Sequence, residues 1–439
     1  MNLDDYQDAA AVTDALDRHG SDPLVALLGL GAHVGDLLDA HKQYLRSSLD
    51  LRAATELISH ELGSVLWYIC AVARRHDLRL SDIAMSNLHK TRERAAARGV
   101  ELHPVSAEVL DFATYQREAE LTDEHIDNAD VSRVTVPLLG LIGEAGNLLN
   151  AQKKNYTHEL LTSRDRGFIR IELGDLLWYA AAAATHCHVK LVDIAIANLE
   201  HTRRFNPAAA DSALPADLPR LDPEDRPQER FPRRFVLHFT PLRDLSAGTH
   251  RAQMHLIKAE PNDFPDGPVP RPRRSGAPQK YQGYTVGGPL GDPLSDNSTV
   301  ADGYRFHDAI HLGFVATLGW SATTRSLLRV KRRSSPLIDE AEDGARAIFA
   351  EEGIAALLAK RALQHGGFVT ESSIDGDTLE MVSTVFEHLE VAAYEPWIWR
   401  RAIAQGFQLI QHLAENRGSG YVTVDLDQRR LTYSRTRPA

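Results

Sequence analysis

A chain of 439 residues with 43% hydrophobic content and a net charge of −11 has the material for several buried cores, and its length sets an expectation of two to three domains. The acidic balance argues against a general nucleic-acid binder, whose footprint is a basic face. Two cysteines, Cys70 and Cys187, exclude a disulfide-stapled secreted fold. The N-terminus, MNLDDYQDAA, lacks the apolar stretch of a signal peptide, and no run is read as approaching the ~20 apolar residues of a membrane span. The expectation is a cytoplasmic protein with no membrane partner.

An internal repeat organises the first half. GLGAHVGD from Gly29, ELGSVLWY from Glu61 and DIAMSNLHKTRE from Asp82 return as GLIGEAGN from Gly140, ELGDLLWY from Glu172 and DIAIANLEHTRR from Asp193, always at the same offset. Tyr6-Gln7 and Tyr115-Gln116 precede the two copies at nearly that spacing. Within a copy, apolar residues recur at helical spacing, as in Leu173, Leu176, Leu177 and Ala180. Trp67 and Trp178 stand at equivalent places and read as helix-packing aromatics. Asp22-Pro23 and Asn206-Pro207 are stop or start signals. Residues 1–105 and 106–205 are therefore expected to be two tandem helical modules of four or five helices each.

The acids differ between the copies. On helices, Glu144 and Asn147 share one face, and Glu172 and Asp175 share another. If those helices pack antiparallel, four oxygen-bearing side chains converge. Carboxylates pressed together raise one another's pKa unless a cation lies between them, and Mg²⁺ takes hard oxygen ligands of this kind. In the first copy His33, Asp36, Glu61 and Ser64 stand at the corresponding places. Asp36 and Glu61 remain as acids, and that site is expected to be degenerate, with a solvated helix face as the alternative.

At these residues the chain resembles the MazG-like, all-α nucleoside triphosphate pyrophosphohydrolases, which carry an acidic EExxE helix, then ExxD, then a closing helix with Asn and basic residues. Gly143 and Asn147 depart from the first and third of those acids. The resemblance implies a Mg²⁺-dependent hydrolase, with Mn²⁺ as a substitute, that splits a nucleoside triphosphate into monophosphate and pyrophosphate. It implies catalytic roles for Glu144, Glu172 and Asp175, metal ligation by these three with Asn147, and substrate contacts from Lys153, Lys154, Asn198 and Arg203. Family members assemble as dimers, so the tandem copies look like a fused pair, a pseudo-dimer, and a homo-oligomer is a further expectation. A nucleotide-sensing scaffold without turnover is the alternative that the lost acids favour.

From Phe205 to Arg233 the composition turns to Pro, Asp, Ala and Arg, which reads as an extended linker, 206–233. Residues 234–439 are expected to form a mostly helical domain with a small β element. Arg234–Thr240 reads as a strand, Pro261–Pro293 as a loop rich in Pro, Gly and Arg, and Tyr421–Ser434 as a hairpin that pairs with the strand at Arg234. The basic run Thr323–Ser335 reads as a solvated face, with phosphate contact as the alternative. His307 and His311, four apart beside Asp308, share a helical face, and Glu351 and Glu352 lie on a later helix; a further acidic set is Glu387, Glu390 and Glu395. Two imidazoles with carboxylates can hold a transition metal, Zn²⁺, Mn²⁺ or Fe²⁺, which would centre a metal-dependent hydrolase there. A polar network that ties helices together is the alternative. This block looks like a C-terminal domain associated with MazG-like fusions.

Overall fold

The computed structural model of the chain describes residues 1–14, 23–105, 110–123, 133–157, 164–207, 214, 218–243, 250–272, 276–296 and 302–438. Asp22, and residues 208–213 and 215–217 of the expected linker, lie outside the described residues. The chain is mainly helical and divides into two compact units, Met1–Ser212 and Ala213–Ala439.

In the first unit the repeat becomes two runs of four helices. These are α1 (Leu3–Val12), α2 (Leu24–Leu45), α3 (Leu51–Arg75) and α4 (Leu80–Ala97), then α5 (Phe112–Glu120), α6 (Thr135–Thr157), α7 (Arg164–His186) and α8 (Leu191–Phe205). Asn2 and Asp111 cap α1 and α5 by accepting the Asp5 and Thr114 backbone N–H groups, which a helix start otherwise leaves open. The two caps also meet as an isolated antiparallel bridge. Contacts then recur in pairs. Trp67 donates to Thr13 Oγ1 at 3.0 Å and Trp178 to Thr122 Oγ1 at 2.9 Å. The amides of Gln7 and Gln116 bridge the loops before α4 and α8 by the same two bonds.

The pairing also crosses between copies. Tyr6 on α1 donates to Asn198 on α8 at 2.9 Å, and Tyr115 on α5 donates to Asn87 on α4 at 3.2 Å. α4 packs on α7, α8 packs on α3, and α2 on α6. Leucines and alanines of all eight helices join one apolar core, so burial ties the copies together rather than merely placing them side by side. The glycine of each ELG explains the closeness. A Cβ on Gly174 would lie 3.0 Å from Asn87 Cβ, and one on Gly63 2.9 Å from Asn198 Cβ. Contrary to the sequence expectation, α2 has the length and apolar composition of a membrane span. Its Ala26, Leu27, Leu30, Val34 and Leu37 are instead buried in that core, and His33, Asp36 and Lys42 interrupt the apolar run.

The second unit holds a five-stranded antiparallel sheet. Its strands β1 (Arg234–Arg243) and β2 (His250–Glu260) come first, followed by a two-residue ribbon of β3 (Val269–Pro270) and β4 (Tyr281–Gln282), then β5 (Pro289–Ser295). The helices α9 (Asp308–Leu318), α10 (Ala322–Leu328), α11 (Pro336–Ala341), α12 (Ala345–Ala362), α13 (Gly376–Phe386) and α14 (Pro396–Glu415) intervene before β6 (Gly420–Asp425) and β7 (Arg430–Ser434). The sheet order is β5-β2-β1-β6-β7. Arg234 stands opposite Glu260 on one side and Asp425 on the other, so the C-terminal hairpin pairs with the first strand. The stretch read as a loop, 261–293, contains β3, β4 and the start of β5; its prolines are tolerated because β5 is an edge strand with one side free of ladder bonds. α9 is buried along its whole length. It crosses α14 backbone to backbone, since a Cβ on Gly313 would lie 2.3 Å from the Ala402 carbonyl oxygen.

Two further readings change. The described end of the expected linker, from Leu218, packs into this unit: Phe231 and Glu229 are buried, and the Glu229 carboxylate accepts the Ser334 N–H at 2.8 Å. The basic run is not wholly solvated either. Arg325 and Arg332 are 1% exposed. Arg332 Nη2 lies 2.7 Å from both Asp343 and Glu390, and Arg325 stacks over Phe231 with its guanidinium 4.5 Å from the ring centre. Guanidinium groups are buried only when carboxylates and aromatic faces replace water in this way. That network is where Glu390 of the acidic set resides.

Candidate functional site

In the first unit, α6 carries Glu144 and Asn147 and α7 carries Glu172 and Asp175. Asn147 Nδ2 donates to Glu144 Oε2 at 3.0 Å and to Glu172 Oε2 at 2.9 Å. Glu172 is buried, Glu144 half-buried and Asn147 exposed. Burial first, then the Glu172 carboxyl hydrogen-bonded to it, then the charges of Glu172 and Asp175, push the Glu144 carboxyl up to about 7, with Asn147 partly opposing. The donors are hard oxygens with an excess of negative charge, and turning the Asn147 amide presents a third oxygen. Glu144, Glu172 and Asn147 therefore suit Mg²⁺ in chemistry.

Asp175 is held from the other copy. Its Oδ1 accepts from Asn87 Nδ2 at 2.8 Å, and its Oδ2 is ion-paired with Lys90, both on α4. Asn198, expected beside these acids, lies against Gly63 of the first copy instead. Lys153, Lys154 and Arg203 are exposed. The sequence reading thus missed Asn87 and Lys90. Their signal was present, because Asn87 is the repeat equivalent of Asn198, but spacing along the chain does not tell which copy a closing helix packs on.

The first copy's site has different contents. His33 Nδ1 lies 2.7 Å from Glu61 Oε2 and 4.0 Å from Asp36 Oδ2. Ligand atoms of all three lie within 4.8 Å of one another. His60 and His201 meet edge-on beside them at 4.8 Å. Burial, then His60 and Arg204, hold the His201 ring down at about 4. Asp36 and Glu61 therefore keep a third ligand-bearing neighbour in His33, which sequence comparison had counted only as a lost acid.

In the second unit His307 and His311, on the first turns of α9, face Glu351 and Glu352 on α12. His311 Nδ1 lies 2.8 Å from Glu351 Oε1, which also accepts from Ser321 Oγ at 2.6 Å, while Glu351 Oε2 accepts the Thr323 N–H at 2.8 Å. His307 Nδ1 lies 2.9 Å from the Tyr304 carbonyl oxygen. The two Nε2 atoms turn to Glu352, each 3.4 Å from one of its oxygens. Asp308 is buried, its Oδ1 3.8 Å from His307 Nε2. Burial opposes a charge on His311, but Glu351 and Glu352 outweigh it and push the ring up to about 10.

Comparison with known proteins adds one family and one relative. Residues 272–437 match the family model of the MazG C-terminal domain. Gene 37 protein of Mycobacterium phage L5 is 36% identical over 63 residues, 14% of this chain. The chain spans 55% of the length of that phage protein. No solved structure matches. The family match gives the chain a MazG-related C-terminal domain.

Proposed function

We propose that the chain is a Mg²⁺-dependent nucleoside triphosphate pyrophosphohydrolase whose working site lies between α6, α7 and α4. The observation that carries this reading is the Glu144–Asn147–Glu172 cluster, an oxygen-lined group whose charge is unbalanced until a cation arrives. Glu144, Glu172 and Asn147, with Asp175 alongside, would hold Mg²⁺, which when bound neutralises phosphate charge. Water attacks the α-phosphorus, the bond to the bridging oxygen breaks, and pyrophosphate leaves. A carboxylate of this cluster receives the proton of that water and passes it to solvent. Asn87 and Lys90 fix Asp175, and Lys90 adds an ammonium at the edge of the site. Lys153 and Lys154, exposed on α6, are offered as phosphate contacts from the family resemblance.

Pyrophosphate release from canonical and modified nucleoside triphosphates, measured with Mg²⁺ or Mn²⁺, tests the proposal. Release that disappears in Glu172→Gln supports it. A folded protein that binds nucleotide and Mg²⁺ but releases no pyrophosphate from any of them overturns it. The reading left standing would be a nucleotide-sensing scaffold, which the pairing of Asp175 with Lys90 favours.

A further inference from the structure

In the second unit the two imidazoles are prepared as ligands. His307 Nδ1 faces a carbonyl oxygen, which can only accept, so its ring donates there and leaves a lone pair on Nε2. His311 Nδ1 faces Glu351, a carboxylate already fixed by Ser321 and the Thr323 N–H. Its Nδ1 donates there, and a metal ion at Nε2 would displace the proton that Glu351 and Glu352 hold on the ring; such acceptors behind a histidine set its orientation. What remains is His311 Nε2, buried in a side chain that is 1% exposed and without a hydrogen-bond partner among the described residues.

The distances decide what these nitrogens and Glu352 suit. A charge-assisted hydrogen bond between nitrogen and carboxylate spans roughly 2.7–2.9 Å. Two donors that each stand about 2.1 Å from a tetrahedral ion lie about 3.4 Å apart. Glu352 stands 3.4 Å from both Nε2 atoms, and one ligand atom from each of the three residues lies within 4.8 Å of the others. Adjacent positions on α12 separate the tasks: Glu351 orients, and Glu352, 36% exposed in its side chain, completes the set.

The same face of α12 continues from Glu352 through Ala356, Ala359 and Lys360, and these last three line a cleft of 790 Å³ together with His307, Ile310, Leu363, Phe407 and Ile410. That volume is the size of a small-molecule site, and its walls are largely apolar. Lys360 supplies an ammonium and Asp302 a carboxylate in its lining. Three protein ligands leave a fourth position of a tetrahedral ion for water or ligand.

We infer that His307, His311 and Glu352 hold a divalent transition ion of the Zn²⁺, Mn²⁺ or Co²⁺ class whose open position faces this cleft, which takes a small ligand with an apolar body and an anionic head. The inference is independent of the nucleotide reading, since no residue is shared.

The full-length chain is stripped with chelator and reloaded with Zn²⁺, Mn²⁺ or Co²⁺, and bound metal is counted. One equivalent is lost in the His307→Ala, His311→Ala double variant and retained in Glu172→Gln. Because alanine at a buried histidine can unfold the unit, Glu352→Gln, half-exposed and of equal size, provides the second measure; its affinity falls at least ~100-fold while its melting curve is kept. Glu351→Gln weakens binding by roughly 10–100-fold, as loss of an orienting acceptor does. In the Co²⁺ form, phenylphosphonate shifts the visible bands at concentrations where inorganic phosphate does not. Unchanged stoichiometry and affinity in the folded variants overturns the metal site, and Co²⁺ bands indifferent to phenylphosphonate overturn its assignment to the cleft.

Discussion

His33 and Glu144 occupy the same turn of equivalent helices, yet they give their sites different partners. In the first copy an imidazole faces Glu61 at 2.7 Å. In the second copy a carboxyl faces a carboxyl through Asn147, and among the described residues no lysine or arginine pairs with either. Lys90 is spent on Asp175. The backbone frame is shared by the two sites, and the residue at one helical position sets them apart. Carboxyls pressed together without a cation raise one another's pKa, as the Glu144 carboxyl shows.

Substitutions of the acids should separate the two copies most. Glu172→Gln or Asp175→Asn should lower kcat/KM for pyrophosphate release by at least ~100-fold, the scale of losing a key electrostatic group, while Glu61→Gln changes it by less than about threefold. Equal losses in the two copies would mean that both sites work as one. Next in size is the cross-copy cation: Lys90→Ala should reduce kcat/KM about tenfold, the effect of a hydrogen bond to a charged group, and His201→Ala, its repeat equivalent, should leave it unchanged.

Smaller still are the glycine contacts. Gly174→Ala and Gly63→Ala each press a methyl on the other copy's asparagine. Overpacking outweighs the helix propensity gained, so both should lower stability by roughly 1 kcal/mol and by the same amount, read from denaturant midpoints. Unequal losses would end the equivalence of the two crossings.

The last test is in pH. Glu144 keeps its proton in the folded chain up to about 7, whereas its ordinary value is 4.5. Between those values the unfolded chain has released the proton and the folded chain has not, so metal-free stability should fall as pH rises through that window and level off above it. Mg²⁺ or Glu144→Gln should flatten the slope in melting temperatures taken across pH 4.5–8. Parallel curves with and without Mg²⁺ would show that the carboxyl pair has another partner.

Most of the first unit was legible because duplication writes the same helix signals twice, and a constant offset survives where single motifs are weak. The partner of each closing helix was not legible, since Gly63 and Gly174 reveal their neighbours only when the copies are folded together. β5 was hidden because Pro289 and Pro293 read as loop, and an edge strand needs only one side of its ladder. Glu351 and Glu352 were indistinguishable on paper. They point about 100° apart on a helix, and the position of Ser321 and Thr323 decides which one turns to the backbone and which to the imidazoles. The basic run misled for a related reason: its counter-charges, Asp343 and Glu390, come from later elements.

The reciprocal exchange of α4 and α8 has a consequence for anyone who would cut this chain. The second copy carries the acids, but the ammonium that meets Asp175 belongs to the first, where Lys90 stands at the place that His201 takes in the second. Two second copies assembled symmetrically would set a histidine against Asp175 and lose that fixed positive charge. The better-equipped half is not the smallest functional piece, and a minimal version must keep both halves, dissimilar as they are.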